Sequence, residues 1–428
     1  MISFEKKVLA NGVRVIVAPM KNIESFYFLI LIGVGSRYET KRISGISHFL
    51  EHIISDRTKK WPGIHQISKE INRVGGIYNA STGFECTGYW IKAAIKNFDL
   101  ALETLTDIYL NSLFKKEDLE KERGVILEEI NMYEDNFREK VEVILMNILY
   151  PNHPLGWDIL GNKKSIKSIQ REDILRYKLE NYLSKNTLVT IVGNFEPKEI
   201  FKKIEQRFIK IKEGINKEPK RVSFVQKELK LQILKRENLD QLHFALAFRG
   251  YDRFNEKRYP LKLLSIILEE SGFLSKLFIE IREKLGMAYY IYSEVEEFFD
   301  CGFLKINSGI SVENLEKVFD KIINTCKNFK RIKPSLKELK DAKNFIRGRM
   351  ALKLETPENI ANFLVKQELF YNKILQPEEI LAKIEAVNAN NIIKVAQEVF
   401  SSRKINLALV GPELKTGQKV IQKILTKI

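Results

Sequence analysis

The chain has 428 residues, 44% of them apolar and 29% charged, the proportions of a soluble globular protein large enough for more than one domain. No apolar run reaches about 18 residues, and the N-terminal stretch lacks both the apolar core of a signal peptide and the acid-free look of a transit peptide, so no membrane span and no export are expected. The net charge of +16 is spread over scattered lysines with no dense basic arm or RNP-like aromatic motif, which reads as solvated faces, not as a nucleic-acid surface.

Taken in order, "VLANGVRVIVAP" is a hairpin, because Asn11-Gly12 is a strong turn signal between two apolar runs. "IESFYFLILIGVGSRYE", from Ile23, is a period-2 strand that runs into a glycine turn. "SGISHFLEHII" reads as a helix with Leu50, Ile53 and Ile54 on its apolar face, capped by Ser44 or Ser47. "FKKEDLEKERGVILEEINMYED", from Phe114, is a long amphipathic helix with Val125, Ile126 and Ile130 on its apolar side. "YLSKNTLVTIVGNFEP", from Tyr182, is a helix end, a turn and a buried strand ending in Val-Gly.

The same three segments then recur in the same order. "LDQLHFALAFRGYDRFN" starts at Leu239, "IKPSLKELKDAKNFIRGRMALKLE" at Ile332 and "VFSSRKINLALVGPEL" at Val399. The offset is about 218 residues each time. Three matches in register predict two homologous α+β domains, each a mainly antiparallel sheet with helices packed on one face. The predicted limits are 1–213 and 223–428, joined by a polar linker at 214–222 that carries Gly214 and Pro219. The copies differ in chemistry. Where the first has His48, Glu51 and His52, the second reads "YPLKLLSIILEESG", with no histidine. That pattern suggests one active half and one supporting half. The three cysteines, Cys86, Cys301 and Cys326, are odd in number and dispersed, which fits a reducing cytoplasm and no disulfide framework.

Two of only five histidines sit one helical turn apart, with a glutamate between them. On a helix His48 and His52 lie about 40° apart, so their imidazoles converge, while Glu51 lies about 60° to the other side of His48. Two neutral histidines can bind Zn2+, and a third protein ligand would leave one position for water, whose proton Glu51 could take. The best third ligand lies in "LEKERGVILEEINMYED". Glu122 and Glu129 are seven apart and fall within about 20° of each other on a helix. Glu129 could ligate, and Glu122 could orient a ligating histidine. Taken alone, this helix reads as readily as a solvated acidic face, with Glu117, Glu120, Glu128 and Glu134 nearby.

H-x-x-E-H is the signature of the inverzincins. The spacing from His52 to Glu129 and the Glu122/Glu129 pair resemble the insulysin, pitrilysin and mitochondrial processing peptidase family. "GGIYNASTGFECTGYW", from Gly75, resembles that family's GG-x-x-NA-x-T stretch, and "IREKLGMAYYIYS", from Ile281, resembles its R-E-x-x-G-L-A-Y stretch. The resemblance covers nearly the whole chain. It implies that His48, His52 and Glu129 bind Zn2+, that Glu51 is the general base and that Glu122 supports the ligands. It implies that Asn79 and Ala80 lie on an edge strand that an extended peptide joins by backbone pairing. It implies that Arg282 and Tyr289 bind the substrate carbonyl; from the residues alone, Tyr289 reads as a strand core residue. Chains of this length in the family form a half-clamshell, and two halves close into a chamber for small or unfolded peptides. Because both the zinc motif and the Arg/Tyr pair are present, a homodimer is expected, although some relatives are heterodimers. The family's apolar-Phe-Lys-Gly-Thr run after the second histidine is replaced by "IISDRTKKWP", with Ser55 and Arg57 at altered positions.

The expected activity is therefore a cytoplasmic zinc endopeptidase with no membrane or nucleic-acid partner. The alternatives are a processing peptidase dedicated to one small precursor and a non-catalytic partner subunit.

Overall fold

The structure is a computed structural model that describes residues 1–63, 65–223, 225–237, 239–414 and 417–428, with Glu270 described by its backbone. It is built on two sheets. The strands of the first are β1 (Glu5–Val8), β2 (Arg14–Pro19), β3 (Ser25–Ile32), β4 (Ile77–Thr82), β5 (Thr87–Ala94) and β6 (Thr187–Gly193). Those of the second are β7 (Lys230–Lys235), β8 (Leu242–Arg249), β9 (Ala288–Glu297), β10 (Gly302–Ile310) and β11 (Ile405–Gly411).

The sheet orders are β1-β2-β6-β3-β5-β4 and β7-β11-β8-β10-β9. Apart from the extra edge strand β1, the two orders superimpose strand for strand. Each sheet has one parallel pair, β2 with β6 and β7 with β11, and its other pairs are antiparallel. The duplication read from the sequence is thus a duplication of topology. The Asn11-Gly12 turn closes the β1–β2 hairpin, with Gly12 at φ 93°.

Two compact units form, and they do not follow chain order. One holds Met1–Asn131, Trp157–Lys220 and Ala351–Pro377; the other holds Met132–Gly156, Arg221–Met350 and Glu378–Ile428. Each unit therefore takes a helical segment from the far half of the chain. The reason lies in the strands. β3, β6, β10 and β11 are buried almost end to end, not at alternate residues. A sheet buried on both faces needs cover on both faces.

In the first unit, Phe26 and Phe28 meet Phe98 on the side of the helices Phe98–Asn111 and Pro197–Phe208. On the other face, Ile16, Tyr27, Leu29, Leu31 and Leu188 pack against Ile360, Ala361, Leu364 and Val365 of the helix Pro357–Tyr371. Each large apolar side chain buried there contributes about 1.5–3 kcal/mol. In the second unit, the helix Phe137–Leu149 packs over β8 and β11, and Glu142 takes hydrogen bonds from Lys305, Asn307 and Tyr292.

The helix Pro357–Tyr371 is pinned by charge as well. Glu368 is fully buried and accepts from Lys6 at 3.0 Å and Arg14 at 3.4 Å. Glu368→Ala is expected to cost about 3 kcal/mol, because it strands cationic groups against a dry sheet face. Lys6→Ala, at the solvent end of the same pair, should cost less than about 1 kcal/mol. Chemical denaturation of the two variants tests this contrast; equal losses would show that burial of the carboxylate does not set the cost. No helix among the described residues is long and apolar enough to cross a membrane.

Candidate metal centre

The histidine helix spans Ile46–Ile54 and starts at Gly45, whose φ of 92° favours glycine. A β-carbon there would lie 2.6 Å from the Leu160 carbonyl oxygen. Neither Ser44 nor Ser47 caps the helix. Glu39 does so instead, accepting the backbone N–H groups of Gly45 at 2.7 Å and Ser47 at 2.9 Å. Burial pushes the Glu39 carboxyl up to about 7, and the two backbone donors pull against that rise. Ser47 uses its hydroxyl on Tyr177 at 2.7 Å.

The glutamate helix, Lys116–Asp135, lies in reach because two arginines fix it. Arg123 is buried and donates to the carbonyls of Ile166 and Ile169, with its guanidinium 5.4 Å from the Phe49 ring centre. Arg57 donates through Nε to Asp118 at 2.8 Å and through Nη1 to the Pro62 carbonyl at 2.9 Å. The departure from the family pattern at Arg57 is therefore an ion pair that ties the end of one helix to the start of the other. Val125, expected on the apolar side, is 45% exposed; Ile126 and Ile130 are buried as expected.

Between the helices three donor atoms converge. His48 Nε2 and His52 Nε2 are 3.2 Å apart, and Glu129 Oε2 lies 3.6 Å from the first and 3.4 Å from the second. Donor atoms held about 2.0–2.1 Å from one tetrahedral centre would be separated by about 3.4 Å. Glu129 Oε2 is buried and has no hydrogen-bond partner among the described residues. Two imidazoles and an unpartnered carboxylate oxygen at these separations suit a small divalent cation of the Zn2+ class. Glu122 accepts from His52 Nδ1 at 3.3 Å, on the ring atom that faces away from the cluster.

The electrostatics point the same way. Burial, and then the neighbouring His52, push His48 well below the usual imidazole range. Burial alone would lower His52 too, but its contacts with Glu122 and Glu129 outweigh that and hold it high. Three carboxylates, those of Glu122, Glu129 and Glu51, thus surround His52, a setting that favours positive charge there. Glu51 faces the cluster from the same helix. Burial raises its carboxyl above the ordinary range; the Thr82 hydroxyl, which donates to it at 2.5 Å, and His52 pull it down, and Glu129 pushes it up.

The structure brings His48, Glu51, His52, Glu122 and Glu129 together within the first unit. Asn79 and Ala80 lie on β4, the last strand of the same sheet, and Asn79 Oδ1 accepts the Ala80 N–H at 2.8 Å. Arg282 and Tyr289 belong to the second unit. Arg282 is exposed in the wide-turn helical segment Phe278–Glu283, with its guanidinium 4.9 Å from the Phe278 ring centre, and that segment packs against β9. Tyr289 is the second residue of that edge strand and is 78% exposed, so it is no core residue. Reading the residues missed Glu39, Arg123 and Thr82. Only Thr82 left a signal: it is the final position of the NA-x-T stretch.

A profile described as Insulinase (Peptidase family M16) matches residues 14–163, and one described as Peptidase M16 inactive domain matches residues 168–346. The chain is 32% identical over 403 residues to an uncharacterized zinc protease, YmxG, of Bacillus subtilis, covering 94% of this chain and 97% of that protein. It is 32% identical over 424 residues to an uncharacterized zinc protease of Rickettsia bellii, covering 97% and 99%. In fold it resembles the crystal structure of a protease from Helicobacter pylori, with a TM-score of 0.88 at 24% identity over 96% of this chain and 100% of that one.

Proposed function

This chain belongs to the insulinase family of peptidases, family M16, and from that premise we propose that it is a zinc-dependent endopeptidase acting on small or unfolded peptides. The observation that carries the reading is the set of separations among His48, His52 and Glu129, with Glu51 beside them. Bound zinc supplies a Lewis acid that polarises water and the scissile carbonyl. Glu51 takes a proton from the attacking water and hands it to the leaving nitrogen; a carboxyl raised by burial is suited to both transfers. Glu122 holds the His52 ring in the tautomer that leaves Nε2 without a proton.

An extended peptide pairs with the free side of β4. Its backbone carbonyl takes the place that Asn79 Oδ1 now fills on the Ala80 N–H. Recognition through the main chain explains a demand for unfolded substrate and a loose sequence preference. Arg282 and Tyr289 donate to the carbonyl oxygen as charge develops on it. Their exposure supports that role, since nothing in the packing of the second unit requires a tyrosine at 289. In this reading two chains form a C2 homodimer in the cytoplasm and close around a chamber, and Arg282 and Tyr289 of one protomer serve the site of the other.

The test is hydrolysis of a mixture of unstructured peptides, with cuts located by mass spectrometry. Cleavage is expected, with loss on chelation and return on adding Zn2+. The active species should elute at twice the chain mass of 49.9 kDa. No cleavage by the zinc-loaded protein would overturn the reading, and full activity in a monomer would overturn the dimer.

A further inference from the structure

We propose that Thr82 is a positioning residue that couples the substrate-receiving strand to the general base. The proposal rests on the peptidase reading above and extends it to a residue that reading leaves without a role. Thr82 closes β4, three residues after Asn79, and its Oγ1 donates to Glu51 Oε2. Among the described residues this is the side-chain hydrogen bond that Glu51 makes.

The geometry has two consequences. First, a glutamate has three side-chain torsions, and a base that must be frozen during reaction wastes binding energy. A hydroxyl that fixes one carboxylate oxygen in advance removes that cost and leaves the carboxylate's other lone pairs for the water proton. Second, the donor stands on the strand that the peptide joins. A shift of β4 moves the Thr82 hydroxyl, and with it the carboxylate. The placement of the strand thus sets the orientation of the base through one bond. The neighbouring threonine makes a useful contrast. Thr87, directly across the hairpin from Thr82, is buried and donates to the Val34 carbonyl at 2.9 Å, an architectural contact on the same sheet.

The test uses the whole 428-residue chain, loaded with zinc. Thr82→Val keeps the branched shape and removes the hydroxyl; Thr82→Ser keeps the hydroxyl. Thr82→Val is expected to lower kcat by about tenfold to a hundredfold, the range spanned by a lost hydrogen bond to a charged group. KM should stay within about twofold, and zinc content should match wild type. Thr82→Ser should restore most of kcat. In the Glu51→Gln background, adding Thr82→Val should leave the Kd of an uncleaved peptide unchanged, because Thr82 would act through the base and not through the strand. Should Thr82→Val fail to fold, Thr82→Cys, of similar size with a weaker donor, carries the same comparison.

A wild-type kcat in Thr82→Val would overturn the proposal. So would a loss expressed in KM with a matching loss of peptide affinity in the Glu51→Gln background, which would make Thr82 a prop for β4. A wild-type protein that cleaves nothing would instead remove the peptidase reading on which the proposal stands.

Discussion

Glu51→Gln loses peptide hydrolysis by about a hundredfold to ten-thousandfold, the contribution of a positioned general base, while it keeps the metal content of wild type. Both halves of that expectation come from the geometry. The amide is nearly the same size as the carboxylate and can still accept from Thr82, so the helix Ile46–Ile54 has no reason to move. It cannot take a proton at neutral pH. The converging atoms belong to His48, His52 and Glu129, not to Glu51, so zinc occupancy should survive. Turnover of one peptide, measured beside zinc content by elemental analysis, separates the two effects. Equal turnover in variant and wild type would mean that another group is the base. Loss of zinc with loss of turnover would mean that Glu51 supports the metal.

The histidine pair and its glutamate partners could be read from the chain because helical spacing fixes angles. His48 and His52 share an arc by periodicity alone, and so do Glu122 and Glu129. What spacing could not supply was the distance between the two helices. That distance depends on Arg57 reaching Asp118 and on Arg123 reaching two carbonyls beyond residue 160, contacts that no local rule encodes. The cap failed for a related reason. Ser44 and Ser47 stand where capping serines stand, but a buried carboxylate from Glu39 already meets the N–H groups. Tyr289 was misread because "AYYIYS" offers aromatics on both alternating faces, so the pattern does not say which face is wet.

The doubled topology was legible and the exchange of helices was not. Amphipathic periodicity shows that the helices Phe137–Leu149 and Pro357–Tyr371 have faces to bury, but it does not name the sheet that buries them. The signal lay in the strands. "FYFLILI" is apolar at every position and "INLALV" at every position but Asn406, too apolar for sheets with one wet face. Something had to cover the second face, and in each unit it is a helix from the other half of the sequence. A duplicated domain built this way holds its fold in the copy that carries no matching histidines, because what the exchanged helices bury is the sheet face. Chemical specialisation of one half then costs the architecture little.

Glu129→Gln should weaken zinc binding by more than about a hundredfold, and Glu122→Gln by about tenfold to a hundredfold, the range for groups that orient a ligand. The two residues stand seven apart on one helix and both contact His52, yet only Glu129 Oε2 points at the two Nε2 atoms. Competition with a chelator of known affinity gives both numbers. The pH dependence separates the roles further. In the metal-free protein His52 is held protonated, pushed up to about 9, chiefly because Glu122 and Glu129 outweigh the effect of burial. Zinc must displace that proton, so apparent affinity should rise by up to about tenfold per pH unit through the neutral range and level off above about 9. His48, pushed low, adds nothing to this slope. Glu122→Gln removes one of the groups that hold the proton, so its binding should be weaker at high pH but flatter with pH. Parallel slopes in wild type and Glu122→Gln would mean that Glu122 does not hold the His52 proton.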